Sequence, residues 1–89
     1  MEMTVKVFGL TDAISASTVK MKLRDEATVS DMLEELIAQY GDGLRERLLK
    51  GDQLDESIYV VVGEETVDRL EHPLKGQTQA FILQVIPGG

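Results

Sequence analysis

Between Val29 and Tyr40 the hydrophobic period of the chain changes, and this constrains its fold more than any other feature. Val29, Met32, Leu33, Leu36, Ile37 and Tyr40 fall at i, i+3, i+4, i+7, i+8 and i+11, the apolar stripe of one amphipathic helix over about 29–40. Thr28 is placed to cap its N-terminus. Asp31, Glu34 and Glu35 put negative charge where the helix dipole favours it, and Gly41 supplies the stop. On the N-terminal side, Met3–Val7 alternates apolar with polar at period two and Val19–Arg24 does so more cleanly, the pattern of strands with one buried face. The small and polar stretch from Gly9 to Ser17 reads as a long hairpin loop. On the C-terminal side, Leu44, Leu48 and Leu49 suggest a second short helix that Gly51-Asp52 ends. Ile58–Val62 and Ala80–Ile86 are continuous β-branched and aromatic runs, expected as interior strands covered on both faces. Gly63–Gly76 is mostly polar and has room only for a short edge strand near Glu64–Val67, plus turns.

The order is therefore ββαβ(β)β with one long helix, which covers one face of a small sheet and makes the protein α+β. If the first and last strands lie side by side in the middle, the crossover through the helix obeys the right-handed rule. The mixed sheet then has the order 2-1-5-3-4, a ubiquitin-like β-grasp. The 89 residues predict a single domain over 1–89 with a flexible C-terminal tail at 87–89. A domain of this size buries only about 60% of the surface that its unfolded chain exposes, which leaves no room for a deep enclosed active site. Any chemistry is expected at an edge or an end.

The absence of cysteine excludes a disulfide framework, a thiolate metal site and a cysteine nucleophile, and fits a reducing, cytoplasmic location. No apolar run is long enough for a membrane span, and the first twenty residues hold Glu2, Lys6 and Asp12 without the apolar block of a signal peptide. Nine basic against sixteen acidic side chains give a net charge of -7, which repels phosphate backbones and anionic lipid. Neither nucleic acid nor membrane is an expected partner, and a basic protein surface is.

The residues that carry most information are Ile86-Pro87-Gly88-Gly89, which follow directly on a strand. Pro87 cannot continue a strand ladder and directs the chain away from the sheet. Glycine has no Cβ and passes easily through a narrow channel, so Gly88 provides a slim approach for the carboxylate of Gly89. No Asp or Glu occurs from position 72 to position 89, although sixteen acids occur in the chain. A tail free of carboxylate side chains meets no close repulsion from a nucleotide's phosphates. A carboxylate becomes an acylating group through adenylation, and Gly89 is the candidate for it. The plain alternative is a chain end that frays, as most do.

Several segments together resemble the MoaD/ThiS family of ubiquitin-like sulfur carriers, most closely the MoaD-like small subunit of molybdopterin synthase. They are the β-grasp order, Thr28-Val29-Ser30-Asp31-Met32-Leu33-Glu34-Glu35-Leu36, Ile58-Tyr59-Val60-Val61-Val62-Gly63, Leu70-Glu71-His72-Pro73-Leu74 and the final Gly88-Gly89. The turn Lys75-Gly76-Gln77-Thr78-Gln79 stands where many members carry an Asp-Gly-Asp turn. The resemblance implies a protein without catalytic residues of its own. An E1-like enzyme, which binds the ATP, adenylates the terminal glycine, and a sulfurtransferase supplies the sulfur of a thiocarboxylate at Gly89. A molybdopterin synthase large subunit or another acceptor receives that sulfur. Two further functions stay open: a ubiquitin-like modifier joined through Gly89 to lysines of other proteins, and a β-grasp binding module with an incidental diglycine.

On the last strand Ala80, Ile82, Gln84 and Ile86 alternate with Phe81, Leu83 and Val85, so both faces are largely apolar although one helix covers one of them. Either set is then exposed, covered by a loop or the short helix, or covered by a partner. The resemblance implies that this face docks the activating enzyme and the synthase large subunit, and Phe81, Leu83, Val85 and Ile86 are the candidate contacts. His72 is the one histidine and sits in a polar turn with Asp68 and Glu71, too few ligands for a metal site. Ser15, Ser17, Ser30 and Ser57 have no base besides His72, and no G-x-S-x-G element or phosphate-binding loop is present, which disfavours hydrolase chemistry and a nucleotide or other cofactor held by this chain. The acidic helix face reads as solvated surface.

Overall fold

A computed structural model describes residues 1–10, 14 and 17–85. The elements run β1 (Glu2–Phe8), β2 (Thr18–Lys22), α1 (Val29–Tyr40), α2 (Asp42–Leu48), β3 (Leu49–Lys50), β4 (Gln53–Leu54), β5 (Ile58–Val62), β6 (Glu65–Val67) and β7 (Gln79–Gln84). Five strands form one mixed sheet in the order β2-β1-β7-β5-β6, while β3 and β4 make a separate two-residue hairpin. In that sheet β1 and β7 are parallel and all other neighbours antiparallel. This is the expected β-grasp order with the small hairpin added.

Alternation decides the two faces. Met3, Val5 and Val7 of β1, Val19 and Met21 of β2, Val60 and Val62 of β5 and Ala80 and Ile82 of β7 are buried in one core together with residues of α1. Val29, Met32, Leu33, Leu36 and Ile37 are the buried residues of that helix, the stripe read from the sequence, with Tyr40 partly buried at its end. Leu44 and Leu48 of α2 extend the same core, as do Leu10 and Ile14 from the loop between β1 and β2. Among the described residues no polar or charged side chain is buried.

The start of α1 is satisfied entirely from within the chain. The Thr28 hydroxyl accepts from the Asp31 amide at 3.3 Å and the Asp31 carboxylate accepts from the Thr28 amide at 2.9 Å, a capping box. The amides of Val29 and Ser30 donate to the carbonyls of His72 (2.9 Å) and Leu70 (2.8 Å). The turn 70–74 thus lies on the end of the helix. Backbone and side-chain bonds from Thr28 hold the Asp31 carboxyl below its ordinary value. With these donors occupied, the helix N-terminus has no free amide in its first turn for an anion.

Two expectations need correction. β5 and β7 are interior strands of the sheet, but only one face is covered, because α2 packs beside α1 on the same side of it. Residues 9–17 are not only a polar connection, since Leu10 and Ile14 are core residues. The hairpin of β3 and β4, with Gly51-Asp52 as its turn, had no signal in a pattern read over longer windows.

Candidate functional site

Of the residues expected to matter, Ile86, Pro87, Gly88 and Gly89 lie outside the described residues. The structure shows the platform from which they extend. Alternation along β7 turns Ala80 and Ile82 to the core and Phe81 and Leu83 to the uncovered face, where both are half-buried, and Val85 follows them on that side. Phe8 of β1 and Tyr59 of β5 flank Leu83 in register, and Lys6 and Val61 flank Phe81. The Phe8 and Phe81 rings stack at 6.4 Å between centroids, and Lys6 Nζ lies 5.8 Å from the Phe81 centroid.

Phe8 (47% exposed), Tyr59 (47%) and Val85 (46%) are the exposed large hydrophobic side chains among the described residues. They are not scattered. Phe8 and Tyr59 sit on either side of Leu83, in the last row that β7 shares with both neighbours, and Val85 comes two residues later. An apolar patch of Phe8, Tyr59, Phe81, Leu83 and Val85 therefore adjoins the point from which residues 86–89 continue. Sequence reasoning had Phe81, Leu83 and Val85 but missed Phe8 and Tyr59, because the pairing of β7 with β1 and β5 brings them together and no local pattern encodes it. Single exposed apolar residues are ordinary on a small protein, whereas several joined on one face mark an interface.

The end of β7 is anchored by polar contacts on its other side. Gln84 is partly buried; its side-chain carbonyl accepts from Arg47 of α2 and its amide donates to Ser57 Oγ at 3.3 Å. Ser57 in turn donates to Asp55 Oδ1 from its hydroxyl (2.6 Å) and its backbone amide (2.9 Å), which lowers the Asp55 pKa. The Val85 amide closes the arrangement by donating to the Ser57 carbonyl at 2.8 Å. Gly9, at the end of β1, leans on the same place: a Cβ on it would stand 2.9 Å from the Gln84 carbonyl oxygen. The root of the C-terminal segment is thus held by α2, by the 55–57 turn and by the end of β1.

His72 is in a turn as expected, but its neighbours differ. Its side chain is largely covered, Nε2 is 3.4 Å from Glu65 Oε1, and its carbonyl serves the Val29 amide. Among the described residues, no group of three or more metal-ligating side chains is gathered. No described helix is long and apolar enough to cross a membrane.

The fold is that of the ubiquitin-like β-grasp proteins. Three solved structures are similar to it over nearly the whole chain. SAMP1 from Haloferax volcanii superposes with a TM-score of 0.84 at 24% identity, over 100% of both chains. The structure of the Amycolatopsis orientalis BexX/CysO complex matches with a TM-score of 0.80 at 27% identity, over 98% of this chain and 99% of that one. A Pyrococcus furiosus protein described as molybdopterin converting factor subunit 1 matches with a TM-score of 0.74 at 18% identity, over 96% and 98%. No family model and no curated protein sequence matches the chain.

Proposed function

We propose that this chain is a sulfur carrier that reacts at Gly89. In the proposed cycle a carboxylate oxygen of Gly89 attacks the α-phosphate of ATP held by an E1-like enzyme, and pyrophosphate leaves. A sulfurtransferase persulfide then attacks the acyl carbon and displaces AMP, and a thiol cleaves the S–S bond of the resulting acyl disulfide, leaving a thiocarboxylate on Gly89 and a disulfide on the sulfurtransferase. That sulfur passes to an acceptor, and synthesis of the molybdenum cofactor molybdopterin, through a synthase large subunit, is the pathway that the resemblance implies. The chain itself supplies no acid, base or cofactor; it supplies the docking face and the reactive end.

The observation that carries this reading is the continuity of the apolar patch with the end of β7. Val85 is the last described residue, and four further residues reach at most about 14 Å when fully extended. A partner docked on Phe8, Tyr59, Phe81 and Leu83 therefore needs its nucleotide within about 14 Å of Val85. The polar anchor at Gln84 keeps that distance from varying by peeling of the strand.

A second reading, a protein modifier, is supported by the likeness to a structure described as small archaeal modifier protein 1 from H. volcanii, with a TM-score of 0.78 at 24% identity. It uses the same adenylate and ends in an isopeptide bond to a lysine. Intact-mass spectrometry of the protein and its adducts from its native cells separates the two. One oxygen replaced by sulfur indicates the carrier, and adducts on lysines of other proteins indicate the modifier. A plain carboxylate in the presence of the E1-like enzyme and ATP rejects both, leaving a β-grasp binding module with an incidental diglycine.

A further inference from the structure

The net charge of -7 does not describe the uncovered face of the sheet. Its β1–β2 side carries Lys6, Lys20 and Lys22, with Glu2 opposite Lys22 in the register. Its far side, beyond Tyr59, carries Glu56 and Asp68, both exposed, which line an open hollow of about 420 Å³ together with Tyr59 and Thr66. Three acids outside that face pair with arginines: Glu34 with Arg45 at 2.7 Å, Asp31 with Arg24 at 3.4 Å and Glu71 with Arg69 at 2.7 Å. Among the described residues, Lys6, Lys20, Lys22, Glu56 and Asp68 take part in no ion pair. The apolar patch thus lies between a basic rim and an acidic rim, and neither rim is neutralised within the chain.

Strands sit about 4.8 Å apart, so β2 and β6, at opposite edges of the five-stranded sheet, are separated by about 19 Å. That exceeds the screening length of about 8 Å at physiological salt, and the rims act on a partner as two separate signals of opposite sign. An apolar patch alone tolerates docking turned by half a circle about its normal. Such a turn would send the chain beyond Val85 away from the partner's nucleotide.

We propose that the partner receiving residues 86–89 presents an apolar surface flanked by an acidic strip, which meets Lys6, Lys20 and Lys22, and by a basic strip, which meets Glu56 and Asp68. The two rims set the orientation of docking and so the direction in which the chain end is presented. This inference rests on the carrier reading above and adds the chemistry of the surface that recognises the face. It also replaces the expectation of a simply basic partner, since only one rim calls for basic groups.

The test is ATP–pyrophosphate exchange by the E1-like enzyme purified from the same cells, with this chain as the acyl substrate. K20E/K22E is expected to raise KM about tenfold at low salt with kcat unchanged, and the difference should shrink in 0.5 M NaCl. E56K/D68K should raise KM in the same way, although it moves the net charge in the opposite direction. K50E, a charge change of the same sign and half the size on the β3–β4 hairpin, should leave KM within twofold. Exchange with the wild-type chain but unchanged KM in both double variants would overturn the proposal, as would an equal effect of K50E, which would reduce it to net charge. A wild-type chain that supports no exchange rejects the carrier reading itself. Sedimentation equilibrium closes the remaining case, because a wild-type dimer that L83R dissociates would place a second copy on this face and overturn the proposal.

Discussion

Gly9→Ala probes the link between the fold and the root of the C-terminal segment. Gly9 has φ +81°, and an added Cβ would stand 2.9 Å from the backbone carbonyl oxygen of Gln84. Gly51, in the turn between β3 and β4, has φ +68° with nothing within 4 Å of the added atom. The two substitutions share a left-handed backbone cost of about 1–2 kcal/mol, offset by about 0.4–1 kcal/mol from the stiffer unfolded chain. Gly51→Ala should therefore destabilise by about 1 kcal/mol, a fall in Tm of roughly 4–8 °C for a domain of this length. Gly9→Ala has the steric term in addition. The atom it meets is backbone in the strand end that also bears the Arg47, Ser57 and Val85 contacts, so relief requires moving the anchor. Overpacking of this kind costs about 1–3 kcal/mol, which puts Gly9→Ala at about 2–4 kcal/mol and its Tm at least about 8 °C below the wild type. Thermal unfolding followed by circular dichroism measures both. The reasoning fails if Gly9→Ala costs no more than Gly51→Ala, because the close approach to Gln84 would then store no energy.

Other outcomes follow from the same contacts. Thr28→Ala removes the hydroxyl half of the capping box and should cost about 1 kcal/mol in urea unfolding. The Asp31 pKa is lowered in the folded state, so its stabilising contribution is present above the ordinary value of 3.8 and is lost as pH falls through the lower folded value; Asp31→Asn should flatten the acid limb of the stability profile there and leave neutral and alkaline behaviour parallel to wild type. Gln84→Ala should lower stability by about 1 kcal/mol and speed hydrogen exchange of the Val85 amide, which bonds the Ser57 carbonyl, more than that of amides in β2. Leu83→Asp changes a half-buried side chain on the uncovered face; it should abolish adenylation at enzyme concentrations that saturate with wild type, while preserving the far-ultraviolet spectrum.

The parts of this fold that were legible in the sequence are those set by local periodicity and local caps. The stripe from Val29 to Ile37 is buried as read, and Thr28 and Asp31 close the capping box that their spacing announces. The strand order was accessible because one helix, a right-handed crossover and a central last strand leave few arrangements. Long-range contact accounts for what was not. Phe8 and Tyr59 look like ordinary strand residues until β7 lies between them, and Gln84 looks like one polar residue in an apolar strand until Arg47 and Ser57 reach it. The turn around His72 shows no helix-capping pattern, since its carbonyls act through space on Val29 and Ser30, 43 and 40 positions away. The two rims escaped for the same reason: composition gives a single charge of -7, and the sheet sorts that charge by face.

The most direct measurement of the central proposal is intact-mass spectrometry after incubation with the E1-like enzyme, ATP, a cysteine desulfurase and cysteine, alongside a chain lacking Gly89. The account predicts that the full chain gains the mass difference between sulfur and oxygen, localised to its C-terminal residue, and that the shortened chain gains nothing while unfolding at the same temperature. A full chain that keeps a plain carboxylate, or sulfur gained equally by the shortened chain, would contradict it.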